Sequence, residues 1–189
     1  ATRMARRGVI IRRLAAVEGL GSCTLIASDK TGTLTCNQLT VNEVRLPDGT
    51  RFDVTGQGFV PEGQFLLNGE SISDRQAARL SGFSLASVLC NEADLHQHDA
   101  EYIWHGDPTD VALLTMACKL GRTREDALEQ CPQFNSIPFE PERQYSATYH
   151  NTDLGRRAFV KVAPERVFEM LRDDEATRNR LSKMAHEMA

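Results

Sequence analysis

The order of segments along this chain predicts a mixed fold of strands and helices. Two observations carry it. Short strand candidates joined by turn signals occur in two separate stretches, and between and after them lie runs with helical spacing. With 189 residues, the chain has room for one well-buried domain and part of a second.

The elements follow in order. Residues 1–20 read as a basic segment, an apolar core at Val9, Ile10 and Ile11, and a helix-like run from Leu14 to Leu20. Cys23-Thr24-Leu25-Ile26-Ala27 is short and apolar, the signature of a buried strand. It runs into the polar loop Ser28-Asp29-Lys30-Thr31-Gly32-Thr33, at the end of a strand where open α/β sheets place catalytic groups. Residues 41–46 and 51–54 are expected strands around Pro47-Asp48-Gly49, a turn signal. Gly56, Gly58, Pro61 and Gly63 punctuate an irregular stretch that ends in Gln64-Phe65-Leu66-Leu67. A helix is expected over 73–90, with Ala77, Leu80, Phe83, Leu85 and Leu89 on its apolar face. A second begins at Pro108 and runs to Lys119, with Gly121 ending it, and a short third covers 122–130. Residues 134–139, 145–149 and 157–162 are strand candidates, the last two joined through Asn151-Thr152-Asp153 and Gly155 as a hairpin. Helices over 164–171 and 175–188 complete the reading. Neither end of the chain carries a start or stop signal, so it is expected to be a piece of a longer protein.

Composition excludes several classes. A net charge of -4 argues against a nucleic-acid binder. Arg3, Arg6, Arg7, Arg12 and Arg13 form one local basic cluster, read as a solvated segment. The cysteines Cys23, Cys36, Cys90, Cys118 and Cys131 are odd in number and form no CxxC pair, so they are expected to be reduced and mostly buried thiols. No apolar run reaches the roughly 20 residues that cross a bilayer. His96, His98 and His105 near Cys90 and Asp99 invite a metal reading, but their spacing fits no zinc pattern and a polar loop is expected.

The chemistry centres on Asp29-Lys30-Thr31-Gly32-Thr33-Leu34-Thr35. An aspartate carboxylate can attack phosphorus once a cation and hydrogen-bond donors neutralise the incoming phosphate. Thr31 and Thr33 bring hydroxyls and backbone groups to the loop, and Gly32 allows close backbone approach. This seven-residue run resembles the phosphorylation signature of P-type cation-transporting ATPases. Other stretches extend the resemblance over essentially the whole chain. Thr55-Gly56-Gln57-Gly58-Phe59-Val60-Pro61-Glu62-Gly63 is similar to the glycine-proline run near the start of that family's nucleotide-binding domain. Gly106-Asp107-Pro108-Thr109-Asp110-Val111-Ala112-Leu113 resembles its GDPTE-type helix start. Phe139-Glu140-Pro141-Glu142-Arg143-Gln144-Tyr145-Ser146 resembles its nucleotide-contacting strand, and Lys161-Val162-Ala163-Pro164-Glu165 matches KGAPE in four of five positions. The likeness favours the calcium-pump and Na,K-pump subfamily over heavy-metal pumps.

The resemblance implies a division at residue 37. Residues 1–37 would supply a first strand of a Rossmann-like, haloacid-dehalogenase-type phosphorylation domain. Residues 38–189 would form most of a nucleotide-binding domain of α+β class, an antiparallel sheet flanked by helices. It implies ATP and Mg2+ as cofactors, Asp29 as phosphoacceptor, and Asp29 with Thr31 as the Mg2+-binding residues. For the nucleotide it implies Phe139 stacked on adenine, Lys161 at the back of the pocket, Asp110 near the adenine amino group, and Arg143, Gln144 and Thr33 as further contacts. Each has a plainer reading: a core Phe, a solvated Lys or Arg, an acidic residue favoured at a helix N-terminus. Two departures stand out. Gln144 replaces a lysine of the calcium-pump pattern, and Val162 replaces the glycine of KGAPE, which should narrow the pocket. Expected partners are a nucleotide and the rest of the pump, meaning its transmembrane, actuator and remaining phosphorylation domains. The place is the cytoplasmic face of a membrane. No nucleic acid and no stable oligomer are expected, although an unpaired apolar strand leaves strand exchange open. Two alternatives remain at this level. A soluble haloacid-dehalogenase-type phosphohydrolase would want an aspartate where Thr31 stands; a non-catalytic nucleotide-binding module would make Asp29 dispensable.

Overall fold

The computed structural model describes residues 6–8, 10, 17, 19, 21–99, 101–172 and 174–188. The chain divides into two compact units, 1–37 and 38–189.

In the first unit, most of the basic cluster and of the expected apolar and helical segments of 1–20 lies outside the described residues. Arg6, Arg7 and Ile10 are exposed. The apolar run at Cys23 to Ala27 corrects the sequence reading. It forms no strand, and Leu25 and Ile26 are 83% and 85% exposed. An apolar run becomes a buried strand only when neighbouring strands satisfy its backbone and other layers cover its faces, and no described residue of this unit is in a strand.

The second unit is built from nine strands and six helices among the described residues. Strands β1 (Glu43–Arg45), β2 (Arg51–Val54), β3 (Phe65–Leu67) and β4 (Glu70–Ser71) form an antiparallel sheet in that order. The β1–β2 turn works as its residue types require. Gly49, at φ +89°, donates its N–H to Leu46 O, and Asp48 Oδ1 accepts from Thr50 N. The irregular stretch after β2 folds back on itself, because a Cβ on Gly56 or Gly63 would lie 2.0 or 2.3 Å from a facing carbonyl oxygen.

The expected helix over 73–90 is two helices, α1 (Asp74–Arg79) and α2 (Ser81–Leu89). The break falls at Leu80, whose N–H turns back to Ala77 O at 2.9 Å. The Ser81-Gly82 pair that follows is a common place for a helix to bend. Next comes an element the sequence did not announce. Strands β5 (Asp94–His98) and β6 (Glu101–His105) form a hairpin where a polar loop was expected. Its outer residues, polar except for Ile103, hide the period-two pattern, which shows on the inner side at Leu95, Tyr102 and Trp104.

Helix α3 (Pro108–Cys118) starts at the expected proline and ends in the expected way, with Gly121 at φ +72° and Arg122 N bonded to Ala117 O. Val111, Ala112, Leu114, Thr115, Met116 and Ala117 are buried around much of its circumference, so α3 is the central helix of the core. Helix α4 (Arg124–Gln130) follows, capped by Thr123. Strands β7 (Gln133–Glu140), β8 (Tyr145–Thr152) and β9 (Gly155–Val162) make a three-stranded antiparallel meander. One face of β8 lies on α2: Thr148 Oγ1 donates to Leu89 O, and Cys90 contacts Ser146. Helices α5 (Pro164–Met170) and α6 (Glu175–Met188) end the unit. The fold is thus α+β, with antiparallel sheets and helices, as expected. The cysteines differ from expectation. All five are free, but Cys23 and Cys36 are exposed and Cys118 is half-buried.

Candidate functional site

A cleft of about 660 Å³ opens in the second unit, lined by Glu92, Asp107, Thr109, Asp110, Phe139, Gln144, Lys161, Val162 and Ala163. Four elements place these side chains. The start of α3 brings Asp107, Thr109 and Asp110, and the end of β7 brings Phe139. Gln144 stands at the turn into β8, where its φ of +59° is in the left-handed region. The end of β9 brings Lys161 and Val162. Glu92 sits between α2 and β5, in a segment pinned by side chains: Asn91 bonds Ser87 O and Asp110 O, and Arg124 bonds Asn91 O and Ala93 O.

The charged centre of the cleft is an ion pair between Asp110 and Lys161. Asp110 is only 5% exposed, and its second oxygen, Oδ2, accepts the Glu92 N–H at 3.1 Å. A buried carboxylate needs such partners, and the helix N-terminus favours its charge. Asp107 caps the same helix, its Oδ1 accepting from Thr109 N at 2.8 Å. The Thr109 hydroxyl, then its N–H, hold the Asp107 carboxyl below the usual aspartate range, and the nearby Lys161 charge adds to this. Phe139 is 56% exposed and has no partner ring among the described residues. A large apolar ring open to water beside a paired charge suits a flat, partly polar ligand.

Of the residues singled out from sequence, the structure gathers Phe139, Lys161, Asp110 and Gln144 in this one cleft. Arg143 is not among its lining residues. The tight turn after β7, with Arg143 N and Gln144 N both bonded to Glu140 O, turns the Arg143 guanidinium onto Glu140 at 3.1 Å. Val162 lines the wall where the family pattern has glycine. Asp107 and Thr109 were legible only as part of the Gly106 to Leu113 run, and Glu92 carried no sequence signal, since its place depends on Asn91 and Arg124.

Asp29, Thr31 and Thr33 lie together in the other unit, in a loop closed by its own bonds. Asp29 Oδ1 accepts from Thr31 N at 3.3 Å, Gly32 N donates to Thr35 Oγ1, and Leu34 N donates to Lys30 O. Gly32 takes φ +74°, which glycine tolerates best. All of these side chains are exposed. For a hard cation the fit is partial: among the described residues no three His, Cys, Asp or Glu side chains gather around one point. A Mg2+ ion here would rest on the Asp29 carboxylate and take its other oxygens from phosphate and water, which is how Mg2+ is commonly held.

A cleft of this size, with an exposed ring beside a half-buried ion pair, has the make-up common to small-ligand pockets. Comparison with known proteins gives the family. Residues 79–188 match the family model described as P-type ATPase, cytoplasmic domain N, and the chain belongs to that family. It is 42% identical over 181 residues to the cation-transporting ATPase pma1 of Synechocystis, covering 91% of this chain and 20% of that protein. It is 38% identical over 164 residues to a calcium-transporting ATPase of Bacillus subtilis, covering 86% and 18%. Against calcium-transporting ATPase type 2C member 1 of Bos taurus, identity is 34% over 172 residues, covering 88% and 17%. The chain therefore spans about a fifth of the length of these relatives. No helix among the described residues is long and apolar enough to cross a membrane.

Proposed function

We propose that this chain is the ATP-receiving part of a cation pump, working at the cytoplasmic face of a membrane together with the pump's transmembrane, actuator and remaining phosphorylation domains. The observation that carries the reading is the pairing of exposed Phe139 with the Asp110–Lys161 ion pair in one cleft. Adenine stacks on Phe139, and the polar edge of the base meets the Asp110–Lys161 pair. The phosphates extend toward Gln144, an uncharged side chain that adds little attraction, and Val162 fills space on the wall. Binding by this chain alone is therefore weak.

In the parent pump, Asp29 receives the terminal phosphoryl group: a carboxylate oxygen forms the new O–P bond as the bond to the ADP oxygen breaks. Bound Mg2+ supplies charge neutralisation on the phosphate. Asp29 is open to solvent, and the Thr31 N–H steadies the oxygen it contacts. Transport of a cation is the work that this phosphorylation drives, in keeping with the names of the relatives.

ATP titration by calorimetry tests the cleft. The expected dissociation constant lies above about 0.1 mM, an affinity weaker than about 5.5 kcal/mol. Phe139→Ala should weaken it by about 1–3 kcal/mol, the worth of one stacked base. Unchanged affinity in Phe139→Ala would remove the cleft from the proposal.

A further inference from the structure

We propose that Glu92 makes the Phe139 cleft select a nucleoside over the matching nucleotide, so that adenosine binds this chain at least as tightly as ATP does. The role assigned to Glu92 rests on the reading of the cleft as a nucleotide site.

The side chains lining the cleft carry three carboxyl groups, at Glu92, Asp107 and Asp110, and one ammonium, at Lys161. That ammonium is paired with Asp110, whose other oxygen accepts the Glu92 N–H. Asp107 is engaged with Thr109 N. The Glu92 side chain is exposed, and no ion pair or side-chain hydrogen bond engages it among the described residues. Two arginines stand near without joining the lining. The Arg143 guanidinium lies on Glu140 at 3.1 Å. Arg124 holds the carbonyls of Asn91 and Ala93, on either side of Glu92, and so fixes that segment in place.

The balance of charge in the cleft is therefore negative, and the open carboxylate of Glu92 is the part of it that nothing else engages. A concave site lined by one sign of charge focuses its field. Each phosphate added to the ligand meets repulsion there, which the uncharged Gln144 does not offset. The nucleoside brings no charge. Its exocyclic amine and ribose hydroxyls are donors, which suit carboxylate oxygens with open acceptor sites. Stacking on Phe139 is the same for adenosine and ATP, so the difference between them is electrostatic. The bond from Glu92 N–H to Asp110 also sets Glu92 beside the ion pair that meets the base, so its charge favours entry base first.

NMR titration of the whole chain with adenosine, AMP and ATP, without added Mg2+, tests this. Adenosine should bind at least as tightly as ATP, with AMP no weaker than ATP. Raising the salt from about 20 to about 150 mM should tighten ATP and leave adenosine unchanged, because screening weakens the repulsion. Glu92→Gln should raise the ratio of ATP to adenosine affinity about 2–4-fold. Glu92→Asp keeps the charge and should keep the parent ratio. The bond that Glu92 gives to the fold comes from its main-chain N–H, which both variants retain, so circular dichroism should match the parent. ATP binding tighter than adenosine, ATP weakened by salt, or a ratio unchanged in Glu92→Gln overturns the role of Glu92 and leaves the nucleotide reading standing. Binding of neither ligand overturns both.

Discussion

At the scale of single residues, the behaviour of the cleft turns on Lys161 and Val162. Lys161 is the only cation paired with the nearly buried Asp110 among the described residues. Lys161→Ala leaves that carboxylate with the Glu92 N–H alone. An unpaired buried charge costs several kcal/mol, but Lys161 is partly solvated, so the expected loss is about 1–3 kcal/mol in urea unfolding. Val162→Gly should act in opposite directions on two measurements. It opens the wall and tightens ATP binding several-fold, while a glycine in strand β9 lowers stability by about 0.5–1 kcal/mol. Tighter binding with no loss of stability would mean that Val162 is not held in the strand as described. Lys161 and Asp110 could each be named from local runs of sequence. Their direct contact could not, because 51 residues separate them and nothing local states that β9 ends beside the start of α3.

At the scale of elements, the start of α3 shows how one short run does two jobs. Asp107 caps the helix and also lines the cleft. Its carboxyl titrates below the ordinary aspartate value of 3.8, chiefly because of the Thr109 hydroxyl and N–H. A lowered folded-state pKa means that this bond contributes stability at pH values above 3.8, and that the contribution fades as pH falls through the folded value. Asp107→Ala is therefore expected to cost about 1 kcal/mol at pH 7. The difference from the parent should shrink when both are unfolded by urea near pH 3. A constant difference across that range would assign the effect to packing alone. This helix start was readable from Asp107-Pro108, since a capping side chain and a proline at the first turn are local chemistry. The β5–β6 hairpin was not. Apart from Ile103 its outer residues are His and acidic, so only Leu95, Tyr102 and Trp104 betray the strand period on the core side.

At the scale of the whole molecule, the two units call for different expectations. Residues 21–37 are exposed throughout, and the backbone bonds described there reach no further than Gly19. Residues 38–189 hold the continuous core around Phe52, Phe65, Leu80, Leu89, Val111 and Met116. Brief trypsin treatment should therefore cut first within residues 1–37, after Arg6, Arg7 or Lys30. Mass spectrometry should then find the remainder of the chain intact, since proteases need accessible, locally opened backbone. Early cuts within α3 or β8 would count against this order of stability. Asp29→Ala should leave ATP affinity within about twofold of the parent, as expected for sites in separate units that share no partner.

The sequence by itself determined the family, the run from Asp29 to Thr35 on which the phosphoacceptor proposal rests, most element boundaries, and the α+β class. All of these rest on contiguous runs, where turn, cap and periodicity chemistry is local. Tertiary structure alone decided that Cys23 to Ala27 is not a buried strand, that Arg143 turns to Glu140 and away from the cleft, and that Glu92 joins it. Each of these depends on which distant backbone lies alongside. That is settled by pairing and packing across the chain, and no single stretch of sequence records it.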